Sequence, residues 1–280
     1  MNSRITRKDL PDLARKKNSV KGDSGKVLVI GGSEGYTGAV YLAAMAAAKS
    51  GADWITVAAP EKVSWLLNAM SPDLVTEKLK GKVIGNAHLP NCLEMAKKHD
   101  VVLLGNGLGL SEDTKQFVRN FVHACKGLLV IDADALKAVS LSEVHNSILT
   151  PHLGEFMQLC RNSRIKMGSA RQQVLREIKS DSRWIGNNVL LLKGLEDIIA
   201  DSKELRISKG GTPLMSVAGT GDVLAGLCAG ILAQSRDLFR TACLASRLNK
   251  QIGEDIAKKQ GTLLASDLLL GIPGAMKNYS

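Results

Sequence analysis

Apolar runs recur along the chain, and most of them end abruptly in glycine or polar residues. They read KVLVIGG from Lys26, WITVAAP from Trp54, DVVLLGNG from Asp100, GLLVIDADAL from Gly127, SILTPHLGEF from Ser147 and NVLLLKG from Asn188. These runs do not alternate polar with apolar, so each expects cover on both faces. Helical patterns stand between them: an alanine-rich stretch that stops at about Gly51, then EKVSWLLNAM, then a helix from about Thr114 to Ala124. Strand alternating with helix predicts an α/β fold in three layers, a mostly parallel central sheet with helices on both faces. IIADSKELRIS, from Ile198, reads as a β-hairpin instead of a crossover, and the chain from Gly219 onward reads as three helical pieces. There is no internal repeat or low-complexity linker. Residues 22–280 are therefore expected to form one domain behind a basic lead segment, residues 1–21.

Charge raises the question of nucleic acid. The formal net charge is +10, and the lead holds Arg4, Arg7, Lys8, Arg15, Lys16, Lys17 and Lys21 against only Asp9 and Asp12. Aromatic residues make up 4% of the chain and none interleave with the basic runs, so base stacking is not expected. An anionic small substrate or a solvated face accounts for the charge as well. The longest apolar stretches, such as GAVYLAAMAAA from Gly38, fall well short of the ~20 residues that span a bilayer. The first residues lack an apolar signal core, so a cytoplasmic location without membrane attachment is expected. Cys92, Cys125, Cys160, Cys228 and Cys243 include no C-x-x-C pair, which fits reduced, packed thiols. The histidines show no metal-ligand spacing.

Chemistry concentrates where the apolar runs stop. In SVAGTGDVLAG, residues 216–226, glycines flank Thr220 and Asp222 follows at once, just before a helical pattern marked by Val223, Leu224, Leu227, Ile231 and Leu232. A helix N-terminus attracts anions through unpaired N–H groups and its dipole. Asp222 either caps those groups or stands beside a bound phosphate and takes a proton from the attacking group. Capping alone leaves the two flanking glycines, Gly219 and Gly221, without a reason. GGSEGYTGA, from Gly31, suits backbone contact with phosphate, yet neither it nor GNGLG, from Gly105, meets a standard dinucleotide fingerprint, and no P-loop is present. DADAL would put Asp132 and Asp134 on one side of an extended segment, either to hold magnesium through water or to cap the next helix. His152 and Glu155 follow a buried strand, and Lys193 ends another, where anionic ligands of such sheets lie. Gly226 and Gly230 point to close packing of their helix against a neighbour.

Taken together, these strings resemble the ribokinase-like superfamily and, more narrowly, the NAD(P)H-hydrate dehydratases. The resemblance rests on GGSEGYTGA, SPDL, GNGLG, DADAL, TPHLGEF, LKG, AGTGDVLAG and GTLLASDLL, in the family's order, from about Gly25 to Leu270. It implies dehydration of the S form of NADH or NADPH hydrate at the expense of ADP or ATP, with Mg2+, by phosphorylation and then loss of phosphate. It implies Asp222 as the base, and Gly219, Thr220 and Gly221 as an anion hole, with Gly221 also touching the nucleotide. Ala39, Gly107, Gly109 and His152 would line the hydrate together with Asp222. Lys193, Gly194, Leu195, Glu196 and Asp197 would hold the adenine nucleotide, and Asp132 and Glu155 would join the magnesium and water network. A homotetramer is implied; the family often joins this domain to an NAD(P)H-hydrate epimerase, and with only about 25 residues ahead of the first strand the epimerase, where present, is expected on a separate chain. Asn106, Thr212 and Ala218 depart from the family's usual proline, asparagine and glycine, which leaves the choice between ADP and ATP open. The competing expectations are a related kinase acting on a vitamin-precursor alcohol, an NAD-dependent dehydrogenase, and a nucleic-acid binder using the lead.

Overall fold

The computed structural model describes residues 4–15 and 17–279; Lys16 of the basic lead and residues 1–3 and 280 lie outside the described residues. Strands β1 (Lys26–Ile30), β2 (Trp54–Pro60), β3 (Val75–Leu79), β4 (Val101–Leu104), β5 (Leu128–Ile131), β6 (Ser147–Leu149), β7 (Val189–Leu192), β8 (Asp197–Ala200) and β9 (Leu205–Ser208) join in one sheet. Their order is β3-β2-β1-β4-β5-β6-β7-β8-β9. From β3 to β7 every pairing is parallel, and β8 and β9 add an antiparallel hairpin at the far edge.

The unbroken apolar strands follow from burial on both sides. Val27 and Val29 of β1 point into one core, Leu28 and Ile30 into the other, and Val101, Leu103 against Val102, Leu104 repeat the division in β4. The first core lies under α1 (Thr37–Lys49), α2 (Glu61–Met70), α8 (Thr220–Ser235), α9 (Leu238–Ala257) and α10 (Ala265–Met276). The second lies under α3 (Leu89–Ala96), α4 (Glu112–Ala124), α5 (Ala133–Ala138), α6 (Leu153–Asn162) and α7 (Arg171–Ser180). The three-layer α/β expectation holds, including the hairpin and the three C-terminal helices.

The sequence reading named no helix at α3, α6 or α7, and two further elements differ from it. β3, VTEKL, was not expected: it is an edge strand with mostly solvent-reached side chains, so it carries no continuous apolar signal. DADAL is not extended. Ala133 adopts a positive φ of 51° and α5 begins there, so Asp132 and Asp134 do not share one side of a strand. The basic lead packs on the body. Leu10 and Leu13 join the first core, Asp9 pairs with Arg206 at 2.8 Å, and the Leu13 N–H donates to the Tyr279 carbonyl at 3.2 Å.

Close contact between α1 and α8 fixes where the N-terminus of α8 lies. A Cβ on Gly226 would sit 2.1 Å from the Ala43 carbonyl oxygen, and one on Gly230 would sit 2.1 Å from Ser50 Oγ and 2.5 Å from the Ala47 carbonyl oxygen. The obstacles at Gly226 are mostly backbone, so a methyl there must push the two helices apart. Gly226→Ala is expected to destabilise the fold by about 1–3 kcal/mol in urea unfolding. Gly38→Ala, where nothing lies within 4 Å, should be neutral or stabilising. Equal midpoints for the two variants would show that the helices tolerate separation.

Candidate active site

The order of the sheet reverses between β1 and β4, the position at which open α/β sheets take ligands beyond their carboxyl ends. Two loops interlock there. The Gly32 N–H donates to the Asn106 carbonyl at 2.8 Å, and Ser33 Oγ donates to the Gly107 carbonyl at 2.8 Å. The approach needs glycine: a Cβ at Gly105, with φ of 134°, would fall 1.8 Å from the Asp132 carbonyl oxygen.

Asp132 follows β5, Thr150 and His152 follow β6, Lys193 follows β7, and Asp222 comes from the first turn of α8. The Asn106 amide joins two of these elements. Its Nδ2 donates to Asp222 Oδ1 at 2.7 Å and to Asp132 Oδ2 at 3.0 Å, while its own Oδ1 is buried without a protein partner. Asp132 Oδ1 accepts from Thr150 Oγ1 at 2.8 Å and from Lys193 Nζ at 2.9 Å. Lys193 also lies 3.8 Å from Glu155 Oε2. Burial works against the Lys193 ammonium, but Asp132 and Glu155 outweigh it and hold its pKa above the usual lysine value. Asp222 is half-buried, and its carboxyl is raised to about 7, by burial first and then by Asp132 and Asp134. The Asn106 amide and the Lys193 ammonium oppose that rise.

Gly219, with φ of 95°, turns the chain into α8. Thr220 Oγ1 is spent on the carbonyls of Met215 and Val217, at 3.0 and 3.2 Å. The N–H groups of Thr220, Gly221 and Asp222 have no partner among the described residues, so the helix presents its positive end uncapped. Asp222 makes no capping bond, which removes the simpler of its two readings. A cavity of about 620 Å³ opens against this turn, lined among others by His152, Lys193, Leu195, Thr212, Gly221 and Lys250. Asp222 stands beside that wall, next to Gly221, not in it.

Several expected ligand residues lie on this cavity, and others do not. Gly194, Leu195 and Asp197 line it, whereas the Glu196 carboxylate pairs with Lys209 at 2.8 Å. Asp197 is buried and accepts from Ser246 Oγ at 2.6 Å and from the Gly194 N–H at 2.9 Å, so its carboxylate shapes the loop. Ala39 and Gly107 lie together with Tyr36, and the Gly109 N–H donates to Asp134 Oδ2 at 2.9 Å, all outside this cavity. His152 caps α6: its Nδ1 accepts from the N–H groups of Gly154 and Glu155 at 3.0 and 3.3 Å. That leaves Nε2 as the protonated nitrogen of the neutral ring.

Asp132 and Glu155, expected in a magnesium and water network, both flank the Lys193 ammonium. Both oxygens of Asp132 are engaged, and Glu155 Oε2 accepts the His152 N–H at 3.0 Å beside Lys193. Among the described residues, no three His, Cys, Asp or Glu side chains form a group that could hold a metal ion. These residues do not fit a directly bound magnesium ion. Four of the five cysteines, Cys92, Cys160, Cys228 and Cys243, are buried, and burial pushes Cys92 and Cys160 up to about 12. Among the described residues, no helix is long and apolar enough to cross a membrane.

Sequence reasoning passed over Thr150, Arg171 and Lys250, and met Asn106 only as a departure from a pattern. Lys250 carried a readable signal, because it stands on the stripe of α9 that includes Ser246, Asn249 and Gly253, all buried. Asn106 carried none, since its two carboxylate partners lie 26 and 116 residues away.

Comparison with known proteins agrees with this geometry. Residues 27–273 match the family model described as NAD(P)H-hydrate dehydratase. The bifunctional NAD(P)H-hydrate repair enzyme Nnr of Pyrobaculum aerophilum is 38% identical over 96% of this chain and 54% of its own length. The chain thus spans about half the length of the curated relatives it matches. A ribokinase-like superfamily protein of Enterococcus faecalis superposes with a TM-score of 0.85 at 27% identity, over 99% of this chain and 95% of that one. The ADP/ATP-dependent NAD(P)H-hydrate dehydratase of Bacillus subtilis, co-crystallised with ATP/Mg2+, shares the fold with a TM-score of 0.79 at 24% identity, over 97% and 95% of the two chains.

The raised carboxyl of Asp222 has a consequence for stability. A group that titrates near 7 when folded and near 4 when unfolded binds a proton on folding between those values. It therefore weighs against the fold increasingly as pH rises from about 4 to about 7, and fully above that. Asp222→Asn removes the burden. Its unfolding free energy should match the parent near pH 4 and exceed it by on the order of 1–3 kcal/mol at pH 8, once solvent screening is allowed for. A difference that does not change with pH would refute the raised carboxyl.

Proposed function

Because this chain belongs to the NAD(P)H-hydrate dehydratase family, we propose that it returns the S form of NADH or NADPH hydrate to the intact dinucleotide at the expense of ADP or ATP. The observation that carries the reading is Asp222, a half-buried carboxyl titrating near 7, set beside an uncapped helix N-terminus and a cavity with Lys193 in its wall. A base whose pKa lies near the working pH transfers protons efficiently. Asn106 occupies Oδ1 of Asp222, so Oδ2 takes the proton of the hydrate's hydroxyl. The freed oxygen attacks the terminal phosphorus of the nucleotide, and the bond to the departing AMP or ADP breaks. The N–H groups of Thr220 and Gly221 meet the charge on the migrating phosphoryl group, and Lys193 supports them. Loss of inorganic phosphate together with a ring proton then restores the double bond.

Lys193 to Asp197 and Gly221 hold the nucleotide in this reading, and Ala39, Gly107, Gly109 and His152 receive the hydrate. Magnesium enters only as a partner of the nucleotide's phosphates, in keeping with its reluctance to shed water. A cytoplasmic setting is supported by buried, unbridged thiols. A homotetramer is supported by exposed Trp65, Leu66, Met70 and Val75 near the β3 edge. The packed lead, residues 4–15, supports treating the segment ahead of β1 as an appendage of one domain, residues 22–280.

The test is recovery of reduced-nicotinamide absorbance from NADH hydrate with Mg2+ and either ADP or ATP, run side by side. Asp222→Asn should lower turnover by at least ~10²-fold with nucleotide binding retained. In the parent protein, kcat/KM should rise with pH about a midpoint near 7, as Asp222 ionises. A stable phosphorylated alcohol with no return of absorbance would mark a kinase, the alternative that the relatives do not favour.

A further inference from the structure

Five consecutive carbonyls, from the end of β7 through the turn to β8, face two cations, one half-buried and one buried. Arg171, the first residue of α7, donates through Nη1 to the Lys193 carbonyl at 3.0 Å and through Nη2 to the carbonyls of Leu192, at 3.2 Å, and Glu196. Lys250, 6% exposed in the middle of α9, donates to the carbonyls of Gly194 and Leu195, both at 3.0 Å, and to that of Gly210 at 3.4 Å. Arg171 has no carboxylate within ion-pair distance among the described residues. Among the described residues, the one carboxylate within ion-pair distance of Lys250 is Asp197 at 3.4 Å, already engaged by Ser246 and Gly194.

An ordinary strand-to-strand turn does not require two cations withdrawn from solvent, because removing charge from water is costly unless it is hydrogen-bonded. Here the bonds all go to one short loop and to Gly210 across the cavity. Gly194 has to be glycine for the arrangement to exist, since a Cβ there would lie 2.5 Å from Arg171 Cζ. The carbonyl dipoles turn toward the cations. The N–H groups of Leu195 and Glu196 have no partner among the described residues, and Leu195 lines the cavity. A wall with carbonyls neutralised, amide hydrogens unspent and two cations behind it suits an anionic ligand.

We infer that Arg171 and Lys250 are positioning residues for the nucleotide: they act through the backbone of residues 192–196, holding it ready for the phosphate-bearing ligand before that ligand arrives. The inference rests on the nucleotide reading of this cavity. Its energetic content is preorganisation, in which the loop's ordering is settled by folding and does not subtract from binding.

The experiment uses the full chain and four variants: Arg171→Met, Arg171→Lys, Lys250→Met and Gly194→Ala. Gly194→Ala displaces the guanidinium without removing any charge. ADP and ATP binding is measured by calorimetry, and KM for nucleotide, KM for NADH hydrate and kcat are measured in the absorbance assay. Nucleotide Kd and KM should rise on the order of tenfold in the Met and Ala variants. Arg171→Lys, which keeps the charge and loses the fork, should fall between them and the parent. In the two Arg171 variants, hydrate KM and kcat at saturating nucleotide should stay within about twofold, a split that general loss of structure does not produce. Unchanged nucleotide Kd in any folded variant of Arg171, or an equal rise in both KM values, overturns the inference. If the parent binds nucleotide without restoring absorbance, the reaction assigned above falls while the calorimetric comparison still decides this proposal; if it binds neither nucleotide, both fall.

Discussion

Three carboxyl groups, Asp132, Glu155 and Asp222, share one largely buried neighbourhood, and the ammonium of Lys193 makes that arrangement tenable. It lies 2.9 Å from Asp132 and 3.8 Å from Glu155, so both acids have a cation beside them. Burial first, and then the charge of Asp132, raise the Asp222 carboxyl to near neutrality against the opposing pull of Asn106 and Lys193. Asn106 divides its two N–H groups between Asp132 and Asp222, tying the strand ends to the helix. The chemistry proposed for Asp222 depends on this uneven sharing.

The sheet and the small-residue helix packing supply the stage. Parallel strands bring β1, β4, β5, β6 and β7 to one edge with their polar ends together. Gly226 and Gly230 let α8 lie directly on α1, which carries the open N-terminus of α8 to that edge. On the other side of the cavity, α7 and α9 each send one cation under the turn that follows β7. The mobile parts of the reaction thus meet groups whose own backbone is already fixed.

Much of this was legible before any coordinates. Apolar runs buried on both faces announced a parallel sheet, and glycine-rich exits marked its functional edge. Gly226 and Gly230 signalled a close helix contact that the geometry bears out. What was hidden has physical causes. β3 carries edge residues, so burial leaves no imprint on its pattern. Asp132 and Asp134 looked like a strand pair because two-residue spacing reads as one face only if the backbone is extended, and the positive φ at Ala133 ends the extension.

Local sequence determined the periodicities, the breakpoints and the residue types able to hold phosphate or move a proton, because those depend on neighbours a few positions apart. The pairing of carboxylates with cations did not. Lys193 reaches Asp132 across 61 positions, and Arg206 reaches Asp9 across 197. Which acid has a cation beside it, why the Asp222 carboxyl is raised and which cation lies beneath which carbonyl are decided by distances of a few ångströms between strand ends. Only the folded packing sets those distances, since electrostatic energy in a buried site depends on separation and desolvation and not on order along the chain.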